Sequence, residues 1–182
     1  MKLKTALREV KKGVGPEWAN YRLLGVTRSG IGAPKEPIGK TPSRYKLVDA
    51  GTIVYNPMRV LLGSIGILRP QDEPGIISPD YVVFKTDETV LDPYYFFAWM
   101  KSSAGIDFIS QETRGAVRQR LKMTTLGQME VSIPDIDEQR RSGHYVQETL
   151  SIITSIQAAF DRQKADLELH RDKLFDSIPA LI

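Results

Sequence analysis

The chain has 182 residues, of which 41% are hydrophobic. That suits one globular domain with an appendage or two very small domains, and is too apolar for a disordered chain. The formal charge is +3, and the absence of cysteine excludes a disulfide framework, a thiol nucleophile and a cysteine-based metal site.

The charge is unevenly spread. Residues 1–136 hold 19 Lys+Arg against 14 Asp+Glu, and residues 137–182 hold 6 against 8. A basic front and a slightly acidic rear suit a polyanion-binding domain on a protein-binding stalk, although ordinary scatter of surface charge gives the same counts. The opening MKLKTALREV starts with lysines, but Arg8 and Glu9 interrupt before an apolar h-region forms, so it does not read as a signal peptide. No apolar run approaches the ~20 residues that span a bilayer. The chain reads as soluble and cytoplasmic, with no membrane partner.

Residues 21–27, YRLLGVT, form the first expected strand. The loop RSGIGAPKEPIGKTPSRYK (28–46) follows, with Arg28, Lys35, Lys40, Arg44 and Lys46 against Glu36 as its one acid. Its IGKT resembles the end of a phosphate-binding P-loop, but the required first glycine is Pro34. Pro37 removes a further N–H from the cradle, so an exposed, semi-rigid loop is the better reading.

A second strand is expected at GTIVYN (51–56), running into Pro57, Met58 and Arg59. Asn56-Pro57 imitates the Asn-Pro-Pro-aromatic motif of adenine-N6 methyltransferases, whose polar side chain accepts from the target amine while the aromatic stacks on the flipped base. Met58 replaces the second proline and Arg59 the aromatic, and no glycine-rich turn after a strand offers a site for S-adenosylmethionine. The stretch therefore reads as a turn that presents a guanidinium at a domain edge.

Further strands are expected at GSIGILR (63–69) and IISPDYVVFK (76–85). Two Pro-Asp pairs, at 79–80 and 134–135, evoke metal-dependent nucleases. Those enzymes need an acid two residues before a lysine; Val83 stands there before Lys85, and no lysine follows Asp135 nearby. From Asp92, a plausible N-cap followed by Pro93, the spacing of 94, 97, 98 and 100 predicts one or two short helices over 92–111. TRGAVRQRLK (113–122) then carries Arg114, Arg118, Arg120 and Lys122 with no acid, and MEVSIP (129–134) is expected to return to a strand. The fold class is α+β, a mixed domain rather than alternating βαβ units.

Beyond residue 136 there is no proline until Pro179 and no glycine after Gly143. Every seventh residue is apolar: Val146, Ile153, Phe160, Leu167 and Leu174. The neighbouring column runs Leu150, Gln157, Lys164, Arg171 and Ile178, polar in its middle. This seam predicts a coiled-coil-type helix, started by Asp135 or Asp137, that needs a partner helix. At 1.5 Å per residue, ~40 residues make a rod of ~60 Å. Folding back on its own domain is the alternative, but such a rod overruns a domain ~30 Å across. His144 and His170 are too far apart in sequence for a metal pair on one helix face, and no nucleophile elbow supports a Ser-His-Asp triad.

The two basic clusters, with Asn56 and other polar neighbours, point to nucleic acid, since Arg and Lys neutralise phosphates and a guanidinium fork reads guanine. The candidate DNA-facing residues are Arg28, Lys35, Lys40, Arg44, Asn56, Arg59, Arg114, Arg118 and Arg120.

Four stretches in order carry a resemblance: YKLVDAGTIVYNPMRVLLGSIGI, GIISPDYVVFK, GAVRQRLKMTTLGQMEVSIPDIDEQRR and the long helix. Together they are similar to the specificity subunit of type I restriction–modification systems. The resemblance implies a DNA target-recognition domain over 1–136 that reads one half of a bipartite site in double-stranded DNA. It also implies a conserved helix over 137–182 that packs antiparallel on its counterpart through Val146, Leu150, Ile153, Phe160, Leu167 and Leu174. It implies no catalysis and no cofactor of its own. Its partners would be adenine-N6 methyltransferase (M) subunits and, through the complex, the ATP-driven restriction and translocase (R) subunit. YNPMR would be the family's strand-turn, with methyl transfer done by the partner.

A complete subunit has two recognition domains and two helical regions where this chain has one of each, so it is a half-subunit that dimerises or a fragment. A homodimer would read a palindromic split site, with Gln157, Lys164 and Arg171 facing acids such as Asp161 and Asp166. The rival readings are a scaffold or inhibitor acting only through the helix, and a DNA methyltransferase in its own right.

Overall fold

The computed structural model describes residues 1–113 and 120–176. The chain divides into two compact units, Met1–His144 and Tyr145–Ile182.

The first unit is a mixed α+β domain. One sheet has the order β1-β8-β5-β6, made of β1 (Leu7–Glu9), β5 (Ile53–Tyr55), β6 (Ile65–Ile67) and β8 (Val82–Thr86), all antiparallel. The other has the order β3-β2-β7-β4, made of β2 (Arg22–Thr27), β3 (Gly30–Gly32), β4 (Lys46–Val48) and β7 (Gly75–Ile77). Within it β2 and β7 run parallel, with Arg22 opposite Gly75 and Leu24 opposite Ile77. Leu24, Val26, Val48, Val54, Ile77 and Val83 draw one apolar cluster from both sheets, with Leu68 added from the residue after β6.

Helices α1 (Pro93–Lys101), α2 (Ser103–Glu112) and α3 (Met123–Gln128) complete the domain. Asp92 caps α1 by accepting from the Tyr94 and Tyr95 amides, as its sequence position before Pro93 predicts. Ser102 does the same for α2 through the Gly105 amide. A file of ring contacts, Tyr55–Phe84–Phe96–Trp99–Phe108, carries the packing from β5 and β8 into α1 and α2. The aromatic run of α1 is thus spent on the core.

The strands expected near 21–27, 51–56 and 63–69 are present as β2, β5 and β6. The stretch 76–85 is two strands, not one: Pro79 has no N–H for a ladder, and the chain turns there, with Tyr81 N donating to Ser78 O at 3.1 Å. The strand expected at 129–134 does not form. Only a single bridge pairs Glu130 with Lys2, flanked by Leu3 N to Met129 O (3.0 Å) and Val131 N to Met1 O (3.0 Å). Its partner is the first few residues of the chain, which turn away at Leu3–Thr5, so the pairing stays one residue deep.

Helix α4 spans Ile136–Asp176. Asp135 starts it, its carboxylate accepting from the amides of Asp137 (3.0 Å) and Glu138 (2.9 Å). Its first turns belong to the first unit. There the buried Gln139 accepts from Asp92 N (3.1 Å) and donates to Pro134 O (3.0 Å) and Val90 O (3.3 Å). A Cβ on Gly143 would collide with the Asp92 carboxylate, so this turn lies directly on the cap of α1. Among the described residues no helix is long and apolar enough to cross a membrane.

Candidate nucleic-acid interface

Strand β2 carries the chain to Arg28 at its exit, and the 33–37 segment returns across the same strand. Gly25 permits that return, because a Cβ there would run into the Pro34 backbone. Opposite lies the Asn56–Gly63 turn. The Asn56 side-chain carbonyl accepts from Met58 N (3.0 Å), and Arg59 N donates to Asn56 O (3.0 Å). A single 3-10 turn over Val60–Leu62 follows, and Gly63 closes it at φ 83°, a left-handed conformation that suits glycine. Ser64 then donates from its hydroxyl to Val26 O (3.1 Å), locking the turn to β2.

These segments enclose an open cleft of ≈ 550 Å³. Arg28 and Lys35 from one predicted stretch and Asn56 and Arg59 from another line it together, along with Tyr45, Leu62, Ser64 and the acids Glu36 and Asp80. Lys40 and Arg44 are exposed and do not line the cleft, though their loop is tied to its rim by Gly39 N donating to the Tyr45 hydroxyl at 2.9 Å. Arg120 is also exposed, and its neighbour Leu121 donates from N to Pro57 O at 2.9 Å. The end of the second basic cluster therefore reaches the Asn56–Gly63 turn. Arg114 and Arg118 lie outside the described residues.

Not one of Arg28, Lys35, Lys40, Arg44, Arg59 and Arg120 forms an ion pair with a carboxylate among the described residues. Elsewhere in the same unit Lys2, Arg8, Lys11, Arg69, Lys85 and Arg140 do. Arg28, Lys35 and Arg59, unpaired around one cleft, outnumber its two acids and favour an external anion.

Lys46 drops out of this surface. It is buried, donates to Tyr81 O at 2.7 Å, and burial pulls its ammonium below the usual lysine range. Lys101 lies behind Arg28 without lining the cleft: at the end of α1 it donates to Arg28 O (3.2 Å) and lies 5.5 Å from the centre of the Phe97 ring. Burial, with the charge of Arg28 adding to it, lowers its pKa. Sequence reasoning passed over Lys101 because nothing local distinguishes it from an ordinary lysine in the last turn of a helix.

Among the described residues no group of three or more His, Asp or Glu side chains converges as metal ligands would.

The second unit is helical throughout its described residues. Val146 and Leu150 of the predicted seam are half-buried, while Ile153, Phe160, Leu167 and Leu174 are 56–71% exposed. Tyr145, Ile152 and Ile156, which the seven-residue column omits, are exposed as well. Gln157 donates to Asp161 at 3.1 Å within the helix.

No family model matches the chain, and no curated protein does. Among solved structures, the HsdS subunit from Thermoanaerobacter tengcongensis matches over 100% of this chain and 49% of its own, at 19% identity and a TM-score of 0.62. A chain from a structure of complex assembly and conformational transition of the type I R-M system matches over 100% of this chain and 52% of its own, at 20% identity and a TM-score of 0.54. The chain thus has an HsdS-like fold, an α+β domain followed by a long helix, and spans about half the length of the structures it matches.

Proposed function

We propose that this chain is a DNA-specificity subunit, or half of one, of a type I restriction–modification system. In that role the domain over 1–136 reads one half of a split site in duplex DNA, and the region over 137–182, through its long helix, joins it to a counterpart helix and to methyltransferase subunits. The observation that carries this reading is the gathering of unpaired Arg28, Lys35 and Arg59 around one cleft, with Arg120 reaching the same turn, on a domain whose fold follows an HsdS subunit along its whole length. Phosphate contacts from such cations supply affinity, while Arg and Asn side chains in a groove supply base readout. The exposed apolar side chains of the second unit support the role of the helix, because a seam of this kind is stable when a partner covers it.

The chain itself carries out no chemistry in this scheme. Methyl transfer, and the restriction activity of the R subunit, belong to its partners in the cytoplasm.

The test is a map of N6-methyladenine in the host genome with and without the gene. Loss of a palindromic split motif on deletion is the result expected of a half-subunit acting as a dimer. Loss of an asymmetric motif assigns the chain to a larger or mixed subunit. An unchanged map overturns DNA specificity and leaves a scaffold acting through the helix.

A further inference from the structure

The Asn56–Gly63 turn treats its apolar residues unequally. Val60 is buried and anchors the turn, whereas Met58 is 56% and Leu62 is 72% exposed. Lone exposed apolar side chains are ordinary on any surface. These two stand on a backbone that is hydrogen-bonded nearly throughout. Met58 N, Arg59 N, Leu62 N and Gly63 N all donate within the turn, Ser64 N donates to Arg59 O, and Pro57 O accepts from Leu121 N. A tip held in this way loses little freedom when it binds.

Its surroundings define what it meets. Arg59 lies between the two in sequence, and the Arg28 side chain passes so close to Gly63 that a Cβ there would stand 3.4 Å from its Cγ. Arg120 is next to the residue bonded to Pro57, and none of these three cations is paired with an acid among the described residues. An apolar tip beside unpaired cations, in a cleft where Arg28, Lys35 and Arg59 outnumber Glu36 and Asp80, fits a polyanion that also displays apolar groups. Duplex DNA does so in its major groove, where the thymine 5-methyl group projects from the base edge. Wedging a side chain between bases would instead require unstacking a step, at a cost of a few kcal/mol, and methyl contact carries no such cost.

Resting on the specificity-subunit reading, we propose that Met58 and Leu62 are sequence-reading residues that contact thymine 5-methyl groups in the major groove, next to a base pair met by Arg59.

The experiment selects duplexes from a randomised pool with the full chain, then replaces each thymine of the enriched site singly by deoxyuridine, which lacks only the methyl group. Wild-type protein is expected to lose about fourfold in affinity at one or two positions, the worth of one buried methyl. Leu62→Ala and Met58→Ala should each lose the dependence at one of those positions while keeping their thermal transition and their binding to unrelated duplex. An enriched site with no uridine-sensitive position overturns the inference and leaves DNA specificity standing. Uridine sensitivity that persists unchanged in both variants overturns it as well. So does a Leu62-dependent rise in 2-aminopurine fluorescence within the site, which would mark insertion between bases. If the wild-type chain enriches no duplex at all, the specificity reading fails and takes this inference with it.

Discussion

Between Met1 and His144 most large apolar side chains go inside, Met58 and Leu62 being exceptions: Ile53, Tyr55, Ile65, Ile76 and Phe84 are fully buried, and the aromatic residues of α1 extend that core. From Ile152 onward the same residue types face outward along one helix, with Ile153, Phe160 and Leu167 all exposed. The contrast separates two ways of using apolar surface. The first unit completes its own core, while the described apolar residues of the second unit lie along one helix and stay exposed.

The largest effect should come from breaking that stripe. Ile153→Asp with Phe160→Asp is expected to weaken self-association at least about a hundredfold, since each chain forfeits two buried side chains worth about 2 kcal/mol apiece. Sedimentation velocity reads the change, and the thermal transition of the domain should not move. A dimer that survives the double substitution would mean that this face is not where the chains meet.

Gln139 sharpens the comparison, because it lies on α4 yet belongs to the domain. Gln139→Ala leaves Asp92 N, Val90 O and Pro134 O without their side-chain partner, and should cost about 2–3 kcal/mol in urea unfolding of the domain. An unchanged midpoint would show that the first turns of α4 contribute nothing to the domain.

The cleft supplies a smaller effect that spares folding altogether. Arg59→Ala should cost about 1–3 kcal/mol in binding to the cognate duplex if the guanidinium reads a base. If it meets a phosphate, all duplexes should weaken alike and the slope of log affinity against log salt should fall by about 0.9.

The smallest is a pH effect within the domain. Burial opposes the charged form of Asp72, but hydrogen bonds from Arg69, including one at 2.6 Å from Nη2, outweigh it and hold the carboxyl below its ordinary value of 3.8. A depressed folded value means that the pair stabilises the fold fully above the unfolded value and stops doing so as pH falls through the lowered one. Below about pH 3.8 the wild-type urea midpoint should therefore drop more steeply than that of Asp72→Asn, by less than about 1 kcal/mol in stability.

Much of this architecture was readable from local chemistry. The Asp92-Pro93 start of α1, the strands around Leu24, Val54 and Gly66, and the uninterrupted helix after Asp135 each follow from residues a few positions apart. The misreadings share a cause. Strands β1, β3 and β4 carry at most one β-branched residue each and are settled by the strands they pair with, whereas MEVSIP has strand composition but no full-length partner. Within 76–85 the β-branched neighbours have strand composition, but Pro79 has no N–H for the ladder and divides them between β7 and β8.

By itself the sequence determined the class of the fold, the position of the long helix and the inventory of cations, because propensity, capping and heptad spacing act over one to seven residues. Only the tertiary structure decided which cations stand together. Arg28, Lys35 and Arg59 meet because the 33–37 segment folds back over Gly25 and Ser64 ties the second turn to β2. Lys46 is withdrawn into the interior and Lys101 is brought beside Arg28 by pairings across dozens of residues. Such contacts depend on the packing of two sheets and a helix, and no local pattern encodes them.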